Sequence, residues 1–248
     1  MRGIRKREPP RDVAAAGQER RSWQAVVNDL KAALSKPRGA EAGIAKEHFD
    51  SLEKGPVRKC LCSEQEYLCI FCECRLRDNG DVRIAHWIPK AKEPKQALEW
   101  TNLYASCSHA ETCDTRQGDR VLGFPSPVEL DFGRVLRFSR NGAILLRPEA
   151  TSFLGESAAE ALKRAIGSPT EHNDRASTLN LNWEPLRRAR AQALDRVRQR
   201  VEKKYPGRTA SKADRKRMAD EYLAEGRLTE YISIVLAWLR CEMGGKRH

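Results

Sequence analysis

What the chain lacks narrows its identity first. No stretch approaches the ~18 consecutive apolar residues that a bilayer crossing needs, and the best candidate, Ile232 to Leu239, is too short. The opening residues Met1-Arg2-Gly3-Ile4-Arg5-Lys6-Arg7 lead into Glu8-Pro9-Pro10 and not into an apolar run, so they do not read as a secretory signal. With 16 Gly and 12 Pro in 248 residues, the composition is neither collagen-like nor low-complexity, and there is no internal repeat. Acidic residues are in deficit: 34 Asp+Glu against 46 Lys+Arg leave a net charge of +12. These absences point to a cytoplasmic, non-membrane protein. In that compartment its eight cysteines read as metal ligands or buried thiols, not disulfides.

What is present fits a folded protein with long solvated helices: 40% hydrophobic and 32% charged residues. The length allows one large domain or two small ones. Residues 1 to about 22 read as an Arg-rich extended arm. Trp23, Val26, Val27, Leu30 and Leu34 form a helical stripe that Lys36-Pro37-Arg38-Gly39 ends, and a second short helix fits 41 to 53. Gly55-Pro56 marks a boundary. Beyond it, Cys60 to Arg77 reads as a compact knuckle, Val82 to Ile88 and Asn102 to Ser106 as strands, and a helix is expected near Thr112. Residues 128 to 146 read as a hairpin turning at Asn141-Gly142, a pair suited to a type I′ turn. From Ser157 the chain reads as mostly helical, with a terminal helix over Asp220 to Met243.

Cys69-x2-Cys72 has the spacing of half a zinc knuckle, because two thiolates three residues apart converge on one tetrahedral ion through a tight turn. Cys107-x5-Cys113 is the expected partner half. A structural site of four thiolates would tie the ends of a small ββα unit that has little apolar content of its own, and metal binding would then supply much of its folding free energy. Cys60, Cys62 and Cys74 compete for ligand roles. Cys74 lies two residues past Cys72 and can replace it with some rearrangement. These three and Cys241 read equally as ordinary thiols.

His86 lies at the expected end of a strand, in Ile84-Ala85-His86-Trp87-Ile88-Pro89. A lone histidine there is more often a half-buried structural side chain than a catalyst. Two neighbours favour chemistry. Asn102 follows the loop and can hold it by hydrogen bonds to backbone near His86. Asp114 follows Cys113 at a helix start, where its carboxylate suits a hard divalent ion. His109 lies inside the Cys107–Cys113 loop, and either a ligand role or a solvent-facing one fits it. His48, His172 and His248 show no ligand spacing.

Taken together, Cys-x2-Cys, His-x2-Pro, Asn-Leu and Cys followed by a polar residue resemble the zinc-ribbon class of HNH (ββα-metal) endonucleases. Gln65-Glu66-Tyr67-Leu68-Cys69-Ile70-Phe71-Cys72-Glu73 is similar to the opening of the retron and Septu anti-phage subfamily, the PtuB-like proteins. So are His86-Trp87-Ile88-Pro89-Lys90, Trp100-Thr101-Asn102-Leu103 with Ser106-Cys107, and Cys113-Asp114-Thr115-Arg116-Gln117-Gly118-Asp119. Ser177 to Asn182, with Leu186 and Arg190, resembles its C-terminal signature, and the match is densest between residues 65 and 119. The resemblance implies an α+β fold in which a small zinc-bound ββα-metal (HNH) unit is embedded in a mainly helical chain. Residues 1–55 would be basic arm and helices, 56–122 the nuclease core, 123–150 a β-hairpin, and 151–248 a helical, basic region. It implies Zn2+ on Cys69, Cys72, Cys107 and Cys113, with His86 as general base and Asn102 orienting its loop. It also implies a catalytic Mg2+ or Mn2+ on Asp114, joined by His109. The implied substrate is DNA, and the implied partners are a PtuA-type ATPase and, in some systems, a retron reverse transcriptase with its multicopy single-stranded DNA. One position departs from the family pattern: the usual acidic residue before the histidine is Ala85. Glu73 or Glu111 can compensate for it only if the fold brings one of them close. Two rivals follow, a zinc-stabilised nucleic-acid-binding module without cleavage and a nuclease acting on tRNA or other RNA.

The basic surplus is concentrated. Arg187 to Arg217 holds 13 Lys+Arg and 3 Asp+Glu, and residues 1 to 22 hold 7 and 3. Such a stretch suits salt-sensitive phosphate-backbone binding, or it is simply a long solvated helix. No element that reads a major groove is visible, so little sequence specificity is expected.

Overall fold

The computed structural model describes residues 1–14, 19–35, 39–77, 81–224 and 228–243. The expected stop at Lys36-Pro37-Arg38, and His248, lie outside them. The α+β expectation holds: helices dominate, and each sheet among the described residues is an antiparallel two-stranded ribbon.

The N-terminal segment is not a free arm. Strands β1 (Asp12–Val13) and β2 (Arg21–Ser22) pair with each other. Lys6 Nζ reaches Glu64 Oε1 at 2.6 Å and also donates to the Leu103 carbonyl. Helix α1 (Trp23–Leu34) starts where the Ser22 hydroxyl accepts from Ala25 N at 3.2 Å, an N-cap that satisfies one first-turn donor. Its buried residues are the expected stripe, Trp23, Val26, Val27, Leu30 and Leu34. Helix α2 (Glu41–Ser51) buries only Ala45 and Phe49. Helix α3 (Lys54–Glu64) corrects the knuckle expectation, because Cys60 and Cys62 lie on this helix. Pro56 sits in its first turn, where a missing N–H costs nothing, so Gly55-Pro56 falls inside a helix start.

The knuckle itself is shorter, closed by an isolated bridge between Leu68 and Arg75. Strand β3 (Arg83–His86) then pairs with β4 (Leu103–Ser106), with Ala85 opposite Tyr104 and His86 opposite Leu103. Helix α4 (Cys113–Gln117) follows, as expected near Thr112, and ends at Gly118. Asn102 belongs to the 3-10 turn Trp100–Asn102 and not to the strand.

The next hairpin is also shorter than expected: β5 (Leu136–Phe138) and β6 (Ile144–Leu146), with Phe132 in a 3-10 turn before it. Its turn is not type I′, which needs positive φ at both central residues. Only Gly142 has it, at 80°. Gly142 N donates to Ser139 O (3.0 Å), and Ser139 N to Ala143 O (2.9 Å). Helices α5 (Ala150–Leu154), α6 (Glu156–Ile166), α7 (Glu184–Lys204), α8 (Lys212–Ala224) and α9 (Ile232–Leu239) complete the fold. The expected single helix over Asp220–Met243 is thus two. Glu73 explains the break: its carbonyl accepts from Tyr231 N (3.0 Å), and its carboxylate accepts from Ser233 N (3.0 Å) and the Ser233 hydroxyl. Those bonds fix a new helix start, with Tyr231 at φ 54°. The buried apolar side chains of the finger, the hairpin and α6–α9 form one contiguous cluster.

Gly142 is required by packing as well as by φ, because a Cβ there would overlap the Arg187 carbonyl of α7. Gly142→Ala is expected to cost more than ~2 kcal/mol in urea unfolding. Gly43→Ala, in open space within α2, is expected to stabilise by about 0.5–1 kcal/mol.

Candidate metal centre and its surroundings

The two cysteine pairs approach from opposite ends of the β3–β4 segment. Cys69 and Cys72 come from the knuckle, Cys107 from just past β4, and Cys113 from the first residue of α4. Their four sulfurs lie within 4.8 Å of one another, with Cys69–Cys113 at 3.8 Å and Cys72–Cys107 at 3.9 Å. A disulfide would need ~2.05 Å. A tetrahedron with metal–sulfur bonds of ~2.3 Å has sulfur–sulfur edges of ~3.8 Å. The spacing therefore fits four thiolates around one ion such as zinc. Cys107 N points at Cys69 Sγ (3.4 Å), and the Ser106 hydroxyl lies 3.6 Å from the same sulfur, outer contacts that favour a thiolate. Four sulfurs this close do not all ionise without a cation. Hydrogen bonding with Cys113 draws Cys107 down to about 5, whereas burial pushes Cys113 well up.

Cys74 lies outside the group of four, although Cys107, Cys69 and Cys72 neighbour it and push its thiol up. Cys60 is half-buried, Cys62 buried and Cys241 exposed. Side-chain amides hold the finger together. Gln65 Nε2 donates to Leu68 O (2.9 Å) and Ala105 O (2.8 Å), and its Oε1 accepts from Ala105 N (2.8 Å). Gln117 Nε2 donates to His86 O and Trp87 O, both at 3.2 Å, which ties α4 to β3. Cys113 N donates to Leu179 O at 3.0 Å, so the segment expected as a C-terminal signature braces a ligand.

Asn102 does what its position suggested. Its Oδ1 accepts from Ile88 N (2.8 Å), and its Nδ2 donates to Ile88 O and Gln96 O (both 3.0 Å). That closes the loop between β3 and β4. At the mouth of this loop His86 is 7% exposed. Its Nε2 lies 3.0 Å from Ala97 O. A carbonyl only accepts, so Nε2 carries the proton and Nδ1 keeps a lone pair. The Phe49 ring meets the imidazole edge-on, with centroids 4.6 Å apart. Burial, then the Lys90 charge, lower the imidazole pKa to about 4.

Asp114 has other neighbours: Arg83 Nε lies 2.6 Å from its Oδ2, and burial raises its carboxyl. Alternation along β3 puts Arg83 and Ala85 on one face and Ile84 and His86 on the other. His86 and Asp114 thus meet different sides of the ribbon, although the Lys90 charge acts on both. His109 packs on Trp183 (4.4 Å between centroids), and its Nδ1 accepts from Glu111 N at 3.3 Å. Glu73 is committed to Ser233, and Glu111 accepts from Asn173 Nδ2 at 3.0 Å. Both carboxylates are thus engaged elsewhere. Among the described residues the four cysteines are the one group of three or more candidate ligands.

Arg190 is a residue that sequence reasoning undervalued. It counted as part of a basic stretch, yet it is buried, donating from Nε to Gly142 O (2.6 Å) and from Nη2 to Leu181 O (2.7 Å). Much of that stretch is likewise engaged within the chain: Arg188 with Glu184, Arg198 with Asp195, Lys204 with Glu221, and Arg208 and Arg217 with Asp214. Arg196, Lys203, Lys212 and Lys216 are exposed. Among the described residues no helix is long and apolar enough to cross a membrane. No family model matches the chain, and no curated protein matches it.

Elemental analysis is expected to find about one tightly held metal ion per chain. Cys69→Ser should abolish it, whereas Cys74→Ser should retain it. His86 yields a second expectation. Its folded pKa (about 4) lies below the unfolded value of ~6.5. The neutral buried ring therefore contributes stability fully present above ~6.5 and lost as pH falls toward 4, roughly 3 kcal/mol in all. His86→Phe should flatten that part of the stability–pH profile.

Proposed function

We propose that the chain is a metal-dependent HNH endonuclease that hydrolyses nucleic-acid phosphodiester bonds, with DNA as its substrate. The observation that carries this reading is the fixed tautomer of His86 at the end of β3. The Ala97 carbonyl holds Nε2–H (3.0 Å), and Asn102 pins the loop that supplies that carbonyl. The free Nδ1 lone pair is then a base of set direction. It can accept the proton of a water that attacks phosphorus while the 3′ oxygen leaves, and the Ala97 carbonyl stabilises the resulting imidazolium. The β3–β4–α4 order and the four-cysteine clamp support the same reading, with zinc in a structural role. Asp114 is the residue that would hold a catalytic Mg2+ or Mn2+ with substrate phosphate and water, once it leaves Arg83 and turns toward the His86 side of the ribbon. Such an ion supplies charge stabilisation at the phosphate. Arg196, Lys203, Lys212 and Lys216 would track the backbone without reading sequence.

The resemblance of residues 65 to 119 to the retron and Septu subfamily extends the proposal: an effector subunit of an anti-phage complex controlled by a PtuA-type ATPase, in some systems with a retron reverse transcriptase and its multicopy single-stranded DNA. A second reading, a zinc-stabilised binding module, is favoured by one observation. Ala85 stands where the family carries an acid, and Arg83 already occupies Asp114.

The test is incubation of plasmid DNA, and in parallel tRNA, with the protein and Mg2+ or Mn2+, alone and with the ATPase partner. His86→Ala should lower cleavage by about 10²–10⁴-fold while metal content and DNA binding persist. If no condition cuts above that variant, the binding module is the function. Cleavage of RNA alone reassigns the substrate.

A further inference from the structure

The surroundings of His86 contain more positive charge than the fold neutralises. Lys54 Nζ lies 4.1 Å from the centroid of the Phe49 ring and Lys90 Nζ 4.9 Å from the same centroid. Neither ammonium forms an ion pair among the described residues. Lys54 donates to the carbonyls of Phe49 and Leu52, and the Lys90 ammonium has no hydrogen bond among the described residues. Asp50, whose charge acts on Lys54, Lys90 and His86, pairs with Lys46 at 2.6 Å. Arg58, on the same helix as Lys54, has a buried Nε without a hydrogen-bond partner. Two ammoniums and an imidazole thus converge on one phenyl ring.

We propose that Phe49 masks a phosphate site formed by Lys54 and Lys90 beside His86, and that a nucleic-acid backbone phosphate takes the place of the ring when α2 lifts. For the role of His86 this rests on the nuclease reading; the site itself does not. Magnitudes favour the exchange. A cation–π contact is worth ~0.5–2 kcal/mol, less than the charge-assisted hydrogen bonds a phosphate offers two ammoniums. Helix α2 buries Ala45 and Phe49, burying one Phe contributes ~1.5–3 kcal/mol, and the Lys54 bonds to Phe49 O and Leu52 O at its end would be exchanged for bonds to the phosphate. The cluster is also frustrated as it stands. Burial lowers Lys54 to about 8, with Asp50 opposing it and the like charges of Arg58 and Lys90 adding to it, and a phosphate beside both ammoniums would add to the opposition. Masking explains why a base with a set tautomer is only 7% exposed: while Phe49 is docked, a water and a phosphate cannot both reach Nδ1.

The test uses the full chain and a short phosphorothioate DNA duplex in chelator, so that binding is read without cleavage. Phe49→Ala should bind the duplex at least about tenfold tighter at low salt. The slope of log affinity against log salt should steepen by about 1, since one added phosphate contact contributes ~0.9. Adding Lys54→Ala and Lys90→Ala to Phe49→Ala should abolish both gains. An unchanged slope in a folded Phe49→Ala protein overturns the proposal. In the wild type, saturating duplex should speed hydrogen exchange of the Glu41–Ser51 amides. Unchanged or slower exchange there overturns it too, even if Phe49→Ala does not fold. Duplex that binds through Lys54 and Lys90 but is never cut with Mg2+ leaves the masked site standing and removes the nuclease. Cutting without the salt-slope change does the reverse.

Discussion

Everything in the centre of this molecule depends on four sulfurs meeting across a strand pair too short to hold itself. Strands β3 and β4 contribute four residues each, and an isolated hairpin of that size is marginal in water. The sulfur–sulfur spacing places both ends of the hairpin on one tetrahedron. An ion held there would meet the loop-closure entropy with metal–ligand bonds. The knuckle, β4 and the start of α4 acquire fixed positions together, and His86, Asn102 and Asp114 inherit theirs from them.

Around that clamp the work is done by side-chain amides bonded to backbone. Gln65 joins knuckle to β4, Gln117 joins α4 to β3, Asn102 closes the intervening loop, and Asn182 bridges β6 and the end of α6 through Ile144 and Gly167. Each replaces a ladder hydrogen bond that the short strands cannot make. Because the partners are carbonyls and N–H groups buried from water, removing one amide leaves polar atoms unpaired and costs more than the bond itself is worth.

Legibility in the sequence tracked the range of the interaction. Local signals read well: the stripe of α1, the cysteine spacing, and the polar Asn102 closing a loop that begins fourteen residues before it at Ile88. The start of α9 after residues 228–231 did not, because Glu73, remote in sequence, supplies the acceptors that fix it. Nor did the state of His86. Nothing near it in the chain announces Phe49 or the Ala97 carbonyl, the contacts that bury its ring. The basic stretch misled in the same way. Counting charges cannot separate Arg190, sunk beneath the β5–β6 turn, from Arg196 on the surface.

The hydrogen bond from Cys113 N to Leu179 O has a consequence for biogenesis. The last of the four thiol ligands is synthesised well before the carbonyl that braces its amide. If these four sulfurs take an ion, a nascent chain could bind it before the residues that brace Cys113 have been made, and the brace would then be a later step than the four-sulfur grouping itself.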